Sequence, residues 1–502
     1  MANRSSTDKQ ELFERMPVPK ALATMAIPTI ISQLINLVYN MVDAFFIGRT
    51  GNSYMVAATS LTLTLVMMVT AFSNLFGIGG GSLVARLQGA KETDEARRAS
   101  AYTFYGCILL AAVYSALIGV FMQPLLRFLG ASAETIGFAS QYTWLVLVLG
   151  SVPAMLSAVL ANLLRNVGYA DKASKGLSMG GLLNIALDPL FMFVLLPKGS
   201  EVVGAALATL LSNLVSCAYL VVTYRKAAET ASLSMKLGEA RLVSGSSKKQ
   251  LFSVGIPSAA LTGLFDLANV SVNMLAAAHS DQVLAGMGIT MKVERIPTAI
   301  NLGICQGSMP IISYNFASGN RERMDKTINT ARLWGLCVSA CGILFFQLFA
   351  PQVCGLFMDT SSGEAALATV GFATLFMKIR SLASPVQFIN YHSSYCMQAM
   401  GNGKGTIIHA VVREIGFYIP FMIILDKLFG ETGLAWALLI AESCGAAFAL
   451  WMLHHSKKGV LHVFLGKGPK KRLQKEHRRL LIVVATPTRR KSSYAPRKGY
   501  LN

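Results

Sequence analysis

Two aspartates of this 502-residue chain, Asp43 and Asp188, stand inside long apolar stretches, each with a polar residue four positions before it, Tyr39 and Asn184. Residues four apart share one face of a helix. Each aspartate is therefore expected beside a hydroxyl or an amide. A charged side chain in a bilayer core costs about 2.5–3.5 kcal/mol on insertion scales and by default marks an ion or substrate path. The spans of the first half are read as free of Lys and Arg, with Arg86 and Arg165 counted in the flanking loops. These carboxylates are then expected to bind a cation or to hold a proton. The plainer alternative is hydrogen bonding between helices through Asn and Thr. The second half differs: it embeds Asp266, Glu294 and Glu442 together with Lys292, Arg295, Lys378, Arg380 and Arg413. Five bases beside three acids point to internal ion pairing for much of that set.

The elements that position these groups follow from composition. The chain is 53% hydrophobic and 14% charged, with a mean hydropathy of +0.50. That excludes a disordered scaffold and a soluble enzyme with a solvated surface. A window of about 19 residues finds apolar stretches able to cross a core of roughly 30 Å as helices. There are twelve, near 21–48, 54–87, 99–122, 136–164, 173–196, 202–224, 249–278, 282–315, 327–350, 364–399, 406–426 and 432–455. The net charge of +20 sits mostly in short loops and the tail, which speaks for a membrane protein and against a nucleic-acid binder. Of 45 Lys and Arg, 35 fall on the side of the N-terminus, four on the other side and six within helices. This bias predicts that both termini are cytoplasmic. No cleavable signal peptide is read, because the polar start runs to Lys20 and the next apolar stretch is long enough to span. The eight cysteines lie mostly in apolar stretches and form no Cys-x-x-Cys, so they are expected as small buried hydrophobes with no metal site or disulfide framework.

The halves repeat. Ala26-Ile27-Pro28 recurs as Gly255-Ile256-Pro257, Gly77-Ile78-x-x-Gly81-Ser82 as Gly303-Ile304-x-x-Gly307-Ser308, and Gly204 as Gly433, at offsets of 226–229 residues. The predicted fold is an all-α integral membrane protein with twelve transmembrane helices in two six-helix lobes. An even number per half places a cavity between lobes that enter the membrane from the same side. The expected segments are a cytoplasmic start over 1–20, a first lobe over 21–224, a flexible linker over 225–248, a second lobe over 249–455 and a basic tail over 456–502. That tail suits anionic lipid headgroups or plain solvation. At the repeat offset Val272 stands opposite Asp43, and aligning Pro189 with Pro420 sets Ile419 opposite Asp188, so the repeated scaffold itself needs neither acid.

The run Tyr39-Asn40-Met41-Val42-Asp43-Ala44-Phe45-Phe46-Ile47-Gly48, the Gly-Ile-x-Gly-Gly-Ser motif, Asn184-x-x-x-Asp188-Pro189 and Gly204-Ala205-Ala206-x-Ala208-Thr209 resemble the multidrug and toxic compound extrusion (MATE) family, in its bacterial multidrug-export branch. Pro310-Ile311-Ile312-Ser313-Tyr314-Asn315-Phe316, and Arg413 ahead of Pro420, also resemble its pattern, and the resemblance covers about residues 15–456. It implies a V-shaped pair of lobes in the bacterial inner membrane. It further implies a monomer, surrounded by lipid, that exports lipophilic, usually cationic drugs in exchange for H+ or Na+, with no cofactor. Asp43, Tyr39, Asn184, Asp188 and Thr209 would form the ion site, with Na+ taking Asp43, Asn184, Asp188 and Thr209, and Pro28 would kink the first helix. Asn162, Asp266, Glu294, Arg295, Arg380, Arg413 and Glu442 are candidates for a substrate cavity or a polar network of the second lobe. Glu442 stands where the family pattern has Asp.

The rival reading is a flippase for an anionic lipid-linked precursor, which would use the embedded bases. Basic residues facing the cavity from both lobes would then be expected, and they are read only in the second. A membrane enzyme is disfavoured by the lack of His or Cys at ligand spacing. An ATP-driven pump is disfavoured by the lack of a Gly-x-x-x-x-Gly-Lys-[Ser/Thr] loop.

Overall fold

The computed structural model describes residues 11–358 and 363–457, so most of the predicted basic tail lies outside the described residues. These form helices joined by short turns, with no strand among the described residues. The first half holds α1 (Val18–Arg49), α2 (Ser53–Gly89), α3 (Thr93–Phe128), α4 (Ile136–Leu149 and Ser151–Asn166), α5 (Ala170–Leu195) and α6 (Glu201–Ala228). The second holds α7 (Gly245–His279), α8 (Asp281–Ala317), α9 (Arg321–Gly355), α10 (Glu364–Ser381 and Ser384–Ala399), α11 (Gly403–Phe429) and α12 (Glu431–Lys457). Nine of these are long and apolar enough to cross a membrane, and the bent pairs α4 and α10 bring the number to 11. The remaining helix, α8, is equally long but carries Lys292, Glu294 and Arg295 at its middle.

Irregular backbone occurs in several helices: α3 kinks at Phe121, ahead of Pro124. α4 bends by 47° and α10 by 53°. Single stretches of π-helix occupy Trp144–Leu149 in α4, Leu190–Leu195 in α5 and Val412–Tyr418 in α11. The hydroxyls of Ser151 and Ser115 donate to the carbonyls of Leu147 and Val148, satisfying acceptors at the α4 irregularity. In α5 the π stretch follows Pro189, and in α11 it ends just before Pro420. Proline lacks the N–H that a regular helix would use there. α1, by contrast, runs through Pro28 as one element.

The repeated glycine motif has a packing cause. A Cβ on Gly307 would lie 2.6 Å from Ala26 Cα, one on Gly303 2.7 Å from Ile30 Cα, and one on Gly79 2.7 Å from the Leu251 carbonyl oxygen. Small residues thus bring α8 onto α1 and α2 onto α7 backbone to backbone, as in other membrane helix pairs. The same run in α2 serves a second neighbour: Gly77 and Gly81 face Asn162 and Asn166 of α4.

All these contacts fall in the N-terminal halves of α1 and α7 and the C-terminal halves of α2 and α8, so the two halves are joined at one end of the bundle. Two arginines placed in loops by the sequence reading lie in helices near this end. Arg86 is 7% exposed, and its Nη1 donates to the carbonyls of Gln398 and Ala399 at 3.3 Å each. The C-terminal carbonyls of α10 thus take the place of an acid. Arg165 is 3% exposed and donates to Asn162 Oδ1 at 3.2 Å. The first half is therefore not free of buried helical bases: Arg86 falls within the 54–87 stretch itself, and α4 runs to Asn166, past the 136–164 stretch.

Residues 12–14 cross the same end. Arg323 donates to the carbonyls of Phe13 (2.6 Å) and Leu12 (3.0 Å). Lys91 and Tyr314 both donate to Glu14 Oε1, each at 2.5 Å. The segment between the halves is pinned as well: Leu237–Arg241 is a short helix, Arg97 pairs with Glu239 at 3.1 Å, and Tyr105 donates to the Met235 carbonyl at 2.9 Å. It is a packed strap where the Gly and Ser content predicts a flexible tether. All eight cysteines are free thiols.

A side chain at Gly307 has no room to relax against the α1 backbone. Gly307→Val is expected to cost about 1–3 kcal/mol through overpacking, read as a lowered thermal midpoint of the detergent-solubilised protein. Gly371→Ala, at a position with nothing within 4 Å, leaves the midpoint unchanged or raised.

Candidate functional site

In the first half, α1 supplies Tyr39 and Asp43, α5 supplies Asn184 and Asp188, and α6 supplies Thr209. Glycines let these helices approach. A Cβ on Gly181 would lie 2.8 Å from Ile35 and 3.2 Å from Tyr39 of α1, and one on Gly180 would lie 3.0 Å from Ser216 of α6. Asn184 Nδ2 donates to Asp188 Oδ1 at 3.2 Å and to Thr209 Oγ1 at 3.4 Å. Asp188 is fully buried, Asn184 is 2% exposed and Asp43 is half-buried. Tyr142 of α4, buried and absent from the sequence reading, lies within electrostatic reach of Tyr39 and both aspartates.

Three oxygens of this cluster, Asp43 Oδ1, Asp188 Oδ2 and Asn184 Oδ1, are buried without a hydrogen-bond partner. No Lys or Arg forms an ion pair with either aspartate among the described residues. Buried acceptors without donors are costly. An all-oxygen set of carboxylate, amide and hydroxyl suits a hard cation or a proton. Among the described residues no group of three or more His, Cys, Asp and Glu could hold a metal ion.

The second half neutralises most of its charges internally. Arg380 grips Glu294 through two bonds, Nε to Oε1 and Nη2 to Oε2, each 2.9 Å. Arg413 donates to both oxygens of Glu442, at 2.5 Å from Nη2 and 3.0 Å from Nε. Asn390 donates to Glu442 Oε2 at 2.6 Å and accepts from His409 Nε2 at 3.0 Å, while His409 Nδ1 meets Ser394 Oγ at 2.9 Å. The Arg413 guanidinium lies over the Tyr391 ring, 4.8 Å from its centroid. Bidentate, hydrogen-bonded pairs of this kind are how buried ions persist.

These pairs wall a cavity of about 240 Å³, reached by Gln33 and Leu37 of α1 and otherwise lined from α7, α8, α10, α11 and α12. Glu294, Arg295, Arg380, Arg413 and Glu442, all singled out in the sequence, line it. Two sequence candidates do not: Asp266 feels the charge of Arg295 from outside the lining, and Asn162 is held between α2 and α4 by Gly77 and Arg165. Glu414 lines the cavity and was missed by the sequence reading. Its signal was an acid beside Arg413 in an apolar stretch. Asn390 and His409 carry no such signal, since only folding sets them beside Glu442.

The MatE family model matches residues 28–190 and 257–424. The chain belongs to the MatE family. The two matched segments open at Pro28 and Pro257, 229 residues apart, the offset of the internal repeat. The chain is 30% identical over 444 residues to the multidrug export protein MepA of Staphylococcus saprophyticus subsp. saprophyticus, covering 88% of this chain and 95% of the relative. It is 30% identical over 443 residues to MepA of Staphylococcus aureus strain MRSA252, with coverage of 88% and 95%. Among solved structures, a crystal structure of MATE in complex with MaL6 superposes with a TM-score of 0.84 at 22% identity, over 90% of this chain and 98% of that one. MatE proteins are transporters, so this MatE chain is a multi-pass membrane transporter and not an enzyme.

Removing one member of a buried pair leaves the other charge uncompensated. In this MatE protein Glu294→Ala, which strips Arg380 of its acid, is expected to cost about 3–5 kcal/mol, seen as a large drop in the thermal midpoint. Glu294→Ala with Arg380→Met restores part of the loss.

Proposed function

We propose that the protein is a secondary active multidrug exporter that moves lipophilic cationic compounds outward in exchange for H+ or Na+. The observation that carries this reading is the first-half cluster, where Asp43, Asp188 and Asn184 turn three buried oxygens toward no donor and no base. The name of the MepA relatives, multidrug export protein, supports the substrate side. Antiport requires that ion and drug bind at each other's expense while biasing the two arrangements of the halves differently. α1 is placed for this: Asp43 belongs to the ion cluster, and Gln33 and Leu37 of the same helix line the second-half cavity.

The Lys and Arg bias supports a cytoplasmic location for both termini, in a bacterial inner membrane. The end where the halves are joined is then the inner one, and this state of the transporter is closed to the cytoplasm. The protein acts as a monomer in lipid, with the coupling ion as its second substrate and no cofactor. A flippase for anionic lipid precursors is less well supported, since Arg295 is the one base of the cavity lining without an ion pair among the described residues. Arg380 and Arg413 are committed to Glu294 and Glu442, and Arg86 to the end of α10.

Reconstitution tests the reading through ethidium efflux from proteoliposomes under a pH gradient or a Na+ gradient imposed separately. One gradient is expected to drive efflux, and Asp43→Asn and Asp188→Asn each to reduce the driven rate by about tenfold or more. Uphill efflux at the wild-type rate by Asp43→Asn, or no dye movement under either gradient, overturns it.

A further inference from the structure

We infer that Glu414 is the cation-recognition group of the second-half cavity, taking the positive charge of a lipophilic organic cation whose apolar body lies against the cavity's aromatic wall. This rests on the exporter reading above and assigns the drug's charge to one residue.

Pairing singles out Glu414 among the acids that line the cavity. Glu294 is matched by Arg380 and Glu442 by Arg413, both through two-point contacts. Asp266 lies outside the lining, and Arg295, the remaining base of the lining, acts on it only at a distance. Glu414 is the lining acid left over. Its only ion-pair contact among the described residues is with Arg413 Nη1, 3.3 Å from Oε1, a base already engaged by Glu442. Glu414 is 2% exposed, lines the cavity, and its Oε1 is buried with no hydrogen-bond partner. A buried carboxylate that shares its base lacks part of its compensation. A second cation supplies the missing part.

The backbone presents this residue. Glu414 lies in the π-helical stretch Val412–Tyr418, where one extra residue per turn sets both Arg413 and Glu414 toward the interior of the second half. π-Helical turns of this kind recur at functional sites. The rest of the wall fits an organic cation better than a bare ion. Phe265 and Tyr391 meet edge to face with centroids 6.5 Å apart, and Met291, Leu302 and Leu438 complete the apolar surface. Aromatic faces attract organic cations, and a mostly apolar pocket with few fixed polar groups is the usual form of a small-molecule site. The first-half cluster differs, being walled by oxygens.

Binding of tetraphenylphosphonium to the purified full-length protein in nanodiscs tests the assignment. Glu414→Gln is expected to weaken binding by about tenfold or more, while Glu414→Asp keeps it within a few fold. Independently of those variants, tetraphenylphosphonium is expected to protect Asn269→Cys, on the same lining, from a water-soluble maleimide. Equal binding by folded Glu414→Gln and wild type overturns the inference and leaves the exporter reading standing, as does saturating binding without protection at Asn269→Cys. Gradient-driven ethidium efflux without any binding of tetraphenylphosphonium overturns the inference alone. Absence of both overturns the inference and the exporter reading together.

Discussion

An ion in a bilayer interior must find its counter-charge inside the protein or be used to carry something. The two halves of this MatE chain answer that constraint in opposite ways. The second half closes its charges on one another, Arg380 on Glu294 and Arg413 on Glu442, each across different helices. Those pairs tie α8 to α10 and α11 to α12 and leave a walled cavity between them. The first half holds Asp43 and Asp188 without a base and leaves three oxygens unsatisfied. Paired charges in one half and carboxylates without a base in the other are two outcomes under the same electrostatic rule.

The duplicated architecture makes this division possible because it does not depend on the acids. Val272, the repeat partner of Asp43, is fully buried in an apolar cluster of the second half. What the repeat preserves is the glycine spacing that lets α2 and α8 take partners at backbone distance. Membrane helices gain little from burying apolar surface against one another, so such close contact supplies much of their association. The halves are fastened at one end by these crossings, by Arg86 on the carbonyls of α10 and by residues 12–14 under Arg323. A transporter that rocks about such a junction has to break a small set of specific bonds there, and each polar cluster lies in one half, clear of that junction.

In α5 and α11 the irregular backbone adjoins the polar groups. Asp188 immediately precedes the proline and π stretch of α5, and Arg413 and Glu414 sit within that of α11. A regular helix would turn neighbouring residues 100° apart. The wider turn lets Arg413 and Glu414 face inward together.

The sequence by itself determined the membrane class, the twelve spans, the duplication and the pair Asn184 and Asp188, because apolar length, repeat spacing and a four-residue offset are properties of the chain alone. It also showed that the acids of the second half travel with bases. The tertiary structure decided which base goes with which acid, since Glu294 passes over its neighbours Lys292 and Arg295 for Arg380, 86 residues away. It moved Arg86 and Arg165 from loops into buried helix ends, set Asp266 and Asn162 outside the cavity, and made Glu414 the acid with only a shared base. Periodicity specifies the face of a helix. The partner on that face depends on how helices distant in sequence cross, and here glycine contacts and helix bends fix those crossings.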